Sequence, residues 1–506
     1  MRVLLLVALF LAAAAPAAAE APAGKPVAMP SASAIDAAAP RLDAIFRRYM
    51  DEAHVPGLVY GVVEDGRLVL VRAIGVQDLE TKRPVMPDTL FRIASMSKAF
   101  TALAILKLRD AGKLSLDAPA ETYVPEMRAW HYPTADSPKI TVRDLLSHAA
   151  GFVTDDPWGD RQTPMPEADF TRLLQAGVPF QRAPETAYEY SNLGFAILGR
   201  IVANVSGRPF EDYIQTEIMR PLGMAATGYD YTKAPPERRA LGYRWEDGGW
   251  RREPDLARGA FGAMGGVQTS AQDYARRIGF LLSAWPPRDG AEQGPARRAS
   301  VRELSQGEDF PQLAPRPGGP ESCMQALAYG KGLRVAADCD LGLSLAHGGG
   351  YPGYGSYMLL FPDRGIGLFA FANRTYAGPT AAVWQAAEAL KEAGLLPPPR
   401  AIPVSAALAS GYMMAGAVWR AGSLEPARMA LAMNFLMDKS AANWAGELAR
   451  LKSELGDCRT NTPIRPTGAL TGTFQWRCER GRIDGQLLLA PTNPPAIQAL
   501  RLNPVH

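Results

Sequence analysis

Two apolar hairpins at opposite ends of one long block constrain the fold of this chain more than any other feature. The first, "GLVYGVVEDGRLVLVRAIG", reads as two strands joined at Asp65-Gly66, a dipeptide that favours a tight hairpin turn. The second, "SYMLLFPDRGIGLFAFAN", is another apolar strand pair far downstream. Each has a helix beside it. "RLDAIFRRYMDEAHVPG" places Leu42, Ile45, Phe46, Tyr49 and Met50 at helical spacing before the first hairpin. After the second, a helix is predicted over about 379–393 and stopped by Gly394. One antiparallel sheet built from both ends satisfies all these elements. The helix-rich stretch at about 90–330 then forms a second lobe, giving an α+β fold.

The chain has 506 residues, more than one ordinary core fills, so two or more domains are expected. A proline break, "LLPPPRAIP" at 395–403, marks a boundary. Beyond it, 404–455 is helical in pattern and 466–504 reads as short antiparallel strands, with Phe474, Trp476 and Cys478 alternating along one of them. Helices followed by a strand meander predict a small C-terminal α+β domain over 404–506. It weakly resembles the cystatin-like NTF2 superfamily, without a specific motif.

At the other end, "MRVLLLVALFLAAAAPAAAEAPAGKP" has Arg2, an apolar stretch too short to span a bilayer, and Ala17-Ala18-Ala19 as a small-residue cleavage site. Residues 1–19 are read as a signal peptide, 20–34 as an Ala/Pro/Ser-rich linker and 35–397 as the main domain. No membrane span is expected after cleavage. A secreted, periplasmic protein follows. The cysteines agree: Cys323 with Cys339 and Cys458 with Cys478 form two local pairs, expected as disulfides in an oxidising compartment. No CxxC or HExxH spacing supports a metal, and no cofactor is expected. The net charge is only +3 and its basic residues are scattered, so no nucleic-acid or anionic-membrane partner is expected.

The chemistry starts at "FRIASMSKAFTALAILKLRDAG", where Ser95 and Lys98 stand three apart at the head of an apolar helix. Residues at that spacing share a helix face. Serine needs a base, and a buried lysine with a depressed pKa can be one. Near a helix N-terminus, free backbone N–H groups can also steady an oxyanion. Alone, S-x-x-K is equally a helix cap with a surface lysine.

It does not stand alone. Tyr190-Ser191-Asn192 precedes an apolar helix, and His347-Gly348-Gly349-Gly350 opens a predicted strand. S-x-x-K, Y-x-N and H-x-G in this order resemble the class C β-lactamase and penicillin-binding-protein family of serine hydrolases. "ITVRDLLSHAAGF", "GAMGGVQTSAQDYARR" and "YGKGLRV" also look like this family, and the resemblance covers about 38–395. It implies a β-lactamase/transpeptidase-like fold and a set of roles. Ser95 is the acylated nucleophile and Lys98 holds its proton. Tyr190, as a phenolate or sharing a proton with Lys98, is the general base. Asn192 binds the substrate amide and steadies Lys98. The N–H groups of Ser95 and Gly350 form the oxyanion hole, and His347 takes the place of the third-motif lysine. His148, in "LLSHAAGF", is read as structural.

The third motif departs from the K-T-G of β-lactamases of this type. Gly348 has no hydroxyl, and a histidine is only partly charged near neutral pH, its reference pKa being ~6.5. The carboxylate pocket of a β-lactam is therefore expected to be weak. The expected substrate is a small molecule or peptide: a peptide, amide or ester, as for D-peptidase-like enzymes and esterases. The alternatives are a β-lactamase, a penicillin-binding protein that is acylated without turnover, and function carried by the C-terminal domain. Oligomeric state stays open.

Overall fold

The computed structural model describes residues 32–308 and 312–506. The leader expected over 1–19, and the linker up to residue 31, lie outside the described residues. Two compact units are present, one over Pro30–Pro403 and one containing Val404–His506.

In the larger unit, helix α1 spans Ala32–Glu52 and so begins inside the expected linker. Ile35 and Ala39 are the reason. They extend the buried stripe of Leu42, Phe46 and Met50 upstream by helical steps, so these residues pack instead of linking. Strands β1 (Gly57–Glu64) and β2 (Arg67–Gly75) form the first hairpin. Asp65 and Gly66 both have positive φ, 47° and 80°, which turns the chain with the twist of its strands.

The downstream strands are β3 (Gln312–Pro315), β4 (Met324–Tyr329), β5 (Arg334–Asp338), β6 (Gly342–Tyr351), β7 (Tyr354–Phe361) and β8 (Ile366–Ala372). All pair antiparallel into one eight-stranded sheet in the order β2-β1-β8-β7-β6-β5-β4-β3. The join between the two ends is β1 against β8, with Leu58 opposite Ala372 and Glu64 opposite Ile366. Strands β1, β7 and β8 are buried on both faces, which explains their unbroken apolar runs. One face is covered by α1 and α6 (Thr380–Glu392) through residues such as Phe46, Leu359 and Trp384. The other face carries the helical lobe, with α2 (Lys98–Asp110) at its centre.

The stretch 283–325 contains a short helix, Arg298–Glu303, and strand β3. Cys323 and Cys339 are disulfide-bonded, tying the start of β4 to the end of β5. The smaller unit begins with two long helices, α7 (Ala406–Ala421) and α8 (Ala441–Leu455). Five antiparallel strands follow: β9 (Cys458–Arg459), β10 (Arg465–Gly468), β11 (Thr471–Cys478), β12 (Gly481–Leu489) and β13 (Ile497–Val505). The second disulfide joins Cys458 to Cys478, which stand opposite each other on β9 and β11. No helix among the described residues is long and apolar enough to cross a membrane.

Candidate active site

Ser95 lies in a single 3-10 turn, Ala94–Ser97, that runs straight into α2 at Lys98. The turn is held in a costly conformation, since Ala94 has φ 49°. Strand β6 fixes it from the side. A Cβ on Gly349 would sit 2.3 Å from the Ile93 carbonyl oxygen, so only glycine permits this approach. Ser356, opposite Gly349 on β7, donates its hydroxyl to the same carbonyl at 2.8 Å.

Lys98 is fully buried. Its Nζ reaches Ser95 Oγ at 3.0 Å, Asn192 Oδ1 at 2.6 Å and the Met264 carbonyl at 3.1 Å. Burial brings its pKa down to about 8, against the pull of Asp156, Asp160 and Asp155. A lysine in this state gives up its proton far more readily than one on a surface. Tyr190 stands beside Ser95, and its ring lies 4.8 Å from Lys98 Nζ. Burial pushes the Tyr190 hydroxyl well above its usual range. The resting state therefore favours a phenol, where the sequence reading allowed a phenolate.

Helix α4 (Asn192–Ser206) presents Asn192 at its first turn. Asp155 fixes that end by accepting the Asn192 and Leu193 backbone N–H groups at 2.7 and 2.8 Å. Asp156 takes the other side of the Asn192 amide through Nδ2. These acids escaped the sequence reading. Their signal is "TDDPWGD", three carboxylates on a segment that shows no periodicity.

His347 is buried and holds no charge. Burial pulls its pKa to about 3. Nδ1 lies 2.6 Å from the Gly348 carbonyl, which only accepts, so Nδ1 carries the proton and Nε2 accepts from the Tyr329 hydroxyl at 2.9 Å. His148 is also buried and neutral, its pKa drawn well below the ordinary value by burial. Its Nδ1 accepts the Ser191 N–H at 3.1 Å, and its ring centre stands 4.4 Å from that of Tyr190. It positions the Tyr190 segment.

A cavity of about 640 Å³ opens on these groups, lined by Ser95, Asp156, Tyr190, His347, Gly350 and Arg334. Ser95, Lys98, Tyr190 and Asn192 thus meet at one point, while Gly350 and His347 form the facing wall. Arg334, also unforeseen, is exposed on β5 opposite Ala346 and is the cation facing the cavity from that wall. One group of metal-type ligands occurs among the described residues, Cys323, Asp338 and Cys339. Both of its sulfurs are tied in the disulfide, leaving one carboxylate.

The family profile described as Beta-lactamase matches residues 42–393. Protein flp of Staphylococcus aureus (strain COL) is 28% identical over 339 residues, covering 66% of this chain and 62% of that protein. Esterase EstB of Burkholderia gladioli is 35% identical over 228 residues, covering 42% of this chain and 57% of that one. The chain thus spans less than two thirds of these relatives' lengths. Among solved structures, the octameric penicillin-binding protein homologue from Pyrococcus abyssi shares the fold with a TM-score of 0.58 at 20% identity, over 92% of this chain and 99% of that one.

Proposed function

The chain belongs to the β-lactamase family, and from that membership we propose that it is an exported serine hydrolase working through an acyl-enzyme on Ser95. The observation that carries this reading is the short contact from fully buried Lys98 to Ser95 Oγ at 3.0 Å. In the neutral form, Lys98 accepts the Ser95 proton as Oγ attacks the substrate carbonyl. Tyr190, lining the cavity beside Ser95, relays that proton to the leaving group and then orients the deacylating water. Asn192 holds Lys98 in line through Oδ1. The N–H groups of Ser95 and Gly350, on facing walls of the cavity, receive the developing oxyanion.

The substrate we propose is a peptide, amide or ester in preference to a β-lactam. A neutral His347 offers no cation at the third motif, and Gly348 offers no hydroxyl. The cavity cation is Arg334, on the neighbouring strand. It favours a carboxylate held away from the reacting carbonyl, as at the free end of a short peptide. The esterase relative supports acyl transfer to water from esters as well. Two disulfides support an oxidising compartment, and we place the protein in the periplasm.

Fluorophosphonate labelling of wild type and Ser95→Ala tests the nucleophile, and equal labelling of both would overturn it. Turnover of p-nitrophenyl esters and of free-acid against C-terminally amidated D-peptides, with nitrocefin alongside, tests the substrate class. Nitrocefin turning over faster than every ester and peptide would reject the stated preference.

A further inference from the structure

The arginines that look scattered in the sequence converge in the C-terminal unit. Residues 404–506 hold eleven lysines and arginines against seven acids, in a chain whose net charge is +3. Its sheet buries one face against α7 and α8 through Phe474, Trp476, Ile483 and Leu487. Strand alternation turns the remaining side chains the other way.

On that open face the strand register arranges three rows. Arg459 stands opposite Arg477, and Arg477 opposite Arg482. The next row holds Gln475, Asp484 and Asn503. The third holds Arg465, Thr473, Gln486 and Arg501. Neighbours within a row are about 5 Å apart and adjacent rows about 7 Å apart. Like charges directly opposite each other destabilise a sheet. Of the five arginines, one pairs with an acid among the described residues, Arg482 with Asp484 at 3.0 Å. The face is concave, with a cavity of about 730 Å³ lined by Arg465, Arg477, Arg482, Gln475, Asn503 and the single acid Asp484.

We propose that this face binds an acidic polysaccharide. The two basic rows take its anionic groups in guanidinium forks, and the middle row, the Gln475 and Asn503 amides with the Asp484 carboxylate, takes its sugar hydroxyls. An anion between the rows relieves the repulsion that the bare sheet carries. Single-stranded nucleic acid and membrane surfaces fit less well. None of the exposed large apolar or aromatic side chains falls on these strands, so nothing is available to stack on bases or enter a bilayer. The proposal stands apart from the catalytic reading, since every residue in it belongs to the C-terminal unit.

The test is retention of the full chain on immobilised polygalacturonate, with neutral dextran as control, at about 0.15 M salt, where weak surface attraction is screened. We expect retention on polygalacturonate alone. Each arginine lost should weaken binding about two- to fivefold. The double variants Arg477→Gln with Arg482→Gln, and Arg465→Gln with Arg501→Gln, should therefore each bind about tenfold more weakly. Their fluorophosphonate labelling should match wild type. The first pair should melt close to wild type, because removing the opposed like charges offsets the loss of the exposed Arg482–Asp484 pair. Absence of retention, wild-type binding by both double variants, or tighter binding to oligo-dT or phosphatidylglycerol vesicles would each overturn the proposal.

Discussion

Lys98 is the residue whose protonation governs the proposed chemistry. Its pKa of about 8 leaves a minor neutral fraction at pH 7, so kcat/KM should rise about tenfold per pH unit below 8 and level off above it. His347, neutral above about 3, should add no inflection near 6.5. A pH–rate profile on a p-nitrophenyl ester checks both points, and a limb near 6.5 would contradict them. The same shift has a sign in stability. The folded pKa lies below the unfolded one, so the cost of burying the charge is full below about 8 and falls as pH rises toward 10.5. Lys98→Met should lose 10²- to 10⁴-fold in activity. It should also lose the rise in stability between about pH 8 and 9.5, before tyrosine ionisation intrudes, as urea unfolding would show. Ser95, Lys98, Tyr190 and Asn192 were legible in the sequence because each sits in a short ordered motif beside an apolar helix. Arg334 and the three aspartates were not. Their relevance arises from where a strand pairing and an aperiodic loop deliver them, which no local pattern records.

At the scale of elements, the site depends on how closely β6 approaches the Ser95 turn. A Cβ at Gly349 would lie 2.3 Å from both the Ile93 carbonyl oxygen and Ser356 Oγ. One at Gly348 would meet Tyr357 at 3.4 Å, an ordinary contact. Gly349→Ala should therefore cost about 1–3 kcal/mol. By displacing Ser95 it should also reduce kcat about 10²-fold. Gly348→Ala should fold and turn over nearly as wild type. Thermal melts and ester kinetics on the pair check this, and equal behaviour of the two would refute the packing argument. The same contrast shows what the sequence could reveal about elements. The first hairpin carried a turn dipeptide, both hairpins carried continuous apolar strands, and α6 had Gly394 to stop it. Strand β3 is four residues long with mostly exposed side chains, so it has neither the length nor the alternation that marks a strand.

For the whole molecule, each apolar cluster among the described residues lies within one unit. Two clusters, one under each face of the large sheet, draw only on residues between Ile35 and Leu396. The third draws only on residues between Ala407 and Leu502. The proline break at 395–403 falls at this division, where consecutive prolines end helices and resist strands. The face that the second unit would leave open could not be read there, since its arginines are brought into rows only by register. A chain ending at Pro403 would keep both clusters of the first unit, the Cys323–Cys339 disulfide and every group proposed to act on Ser95. It should therefore fold, label with fluorophosphonate at the full-length rate and hydrolyse p-nitrophenyl esters with kcat/KM within about twofold of the whole chain, while losing retention on polygalacturonate. If the shortened chain folds but fails to label, the second unit contributes to the reaction itself, and the assignment of catalysis to the first unit alone is wrong.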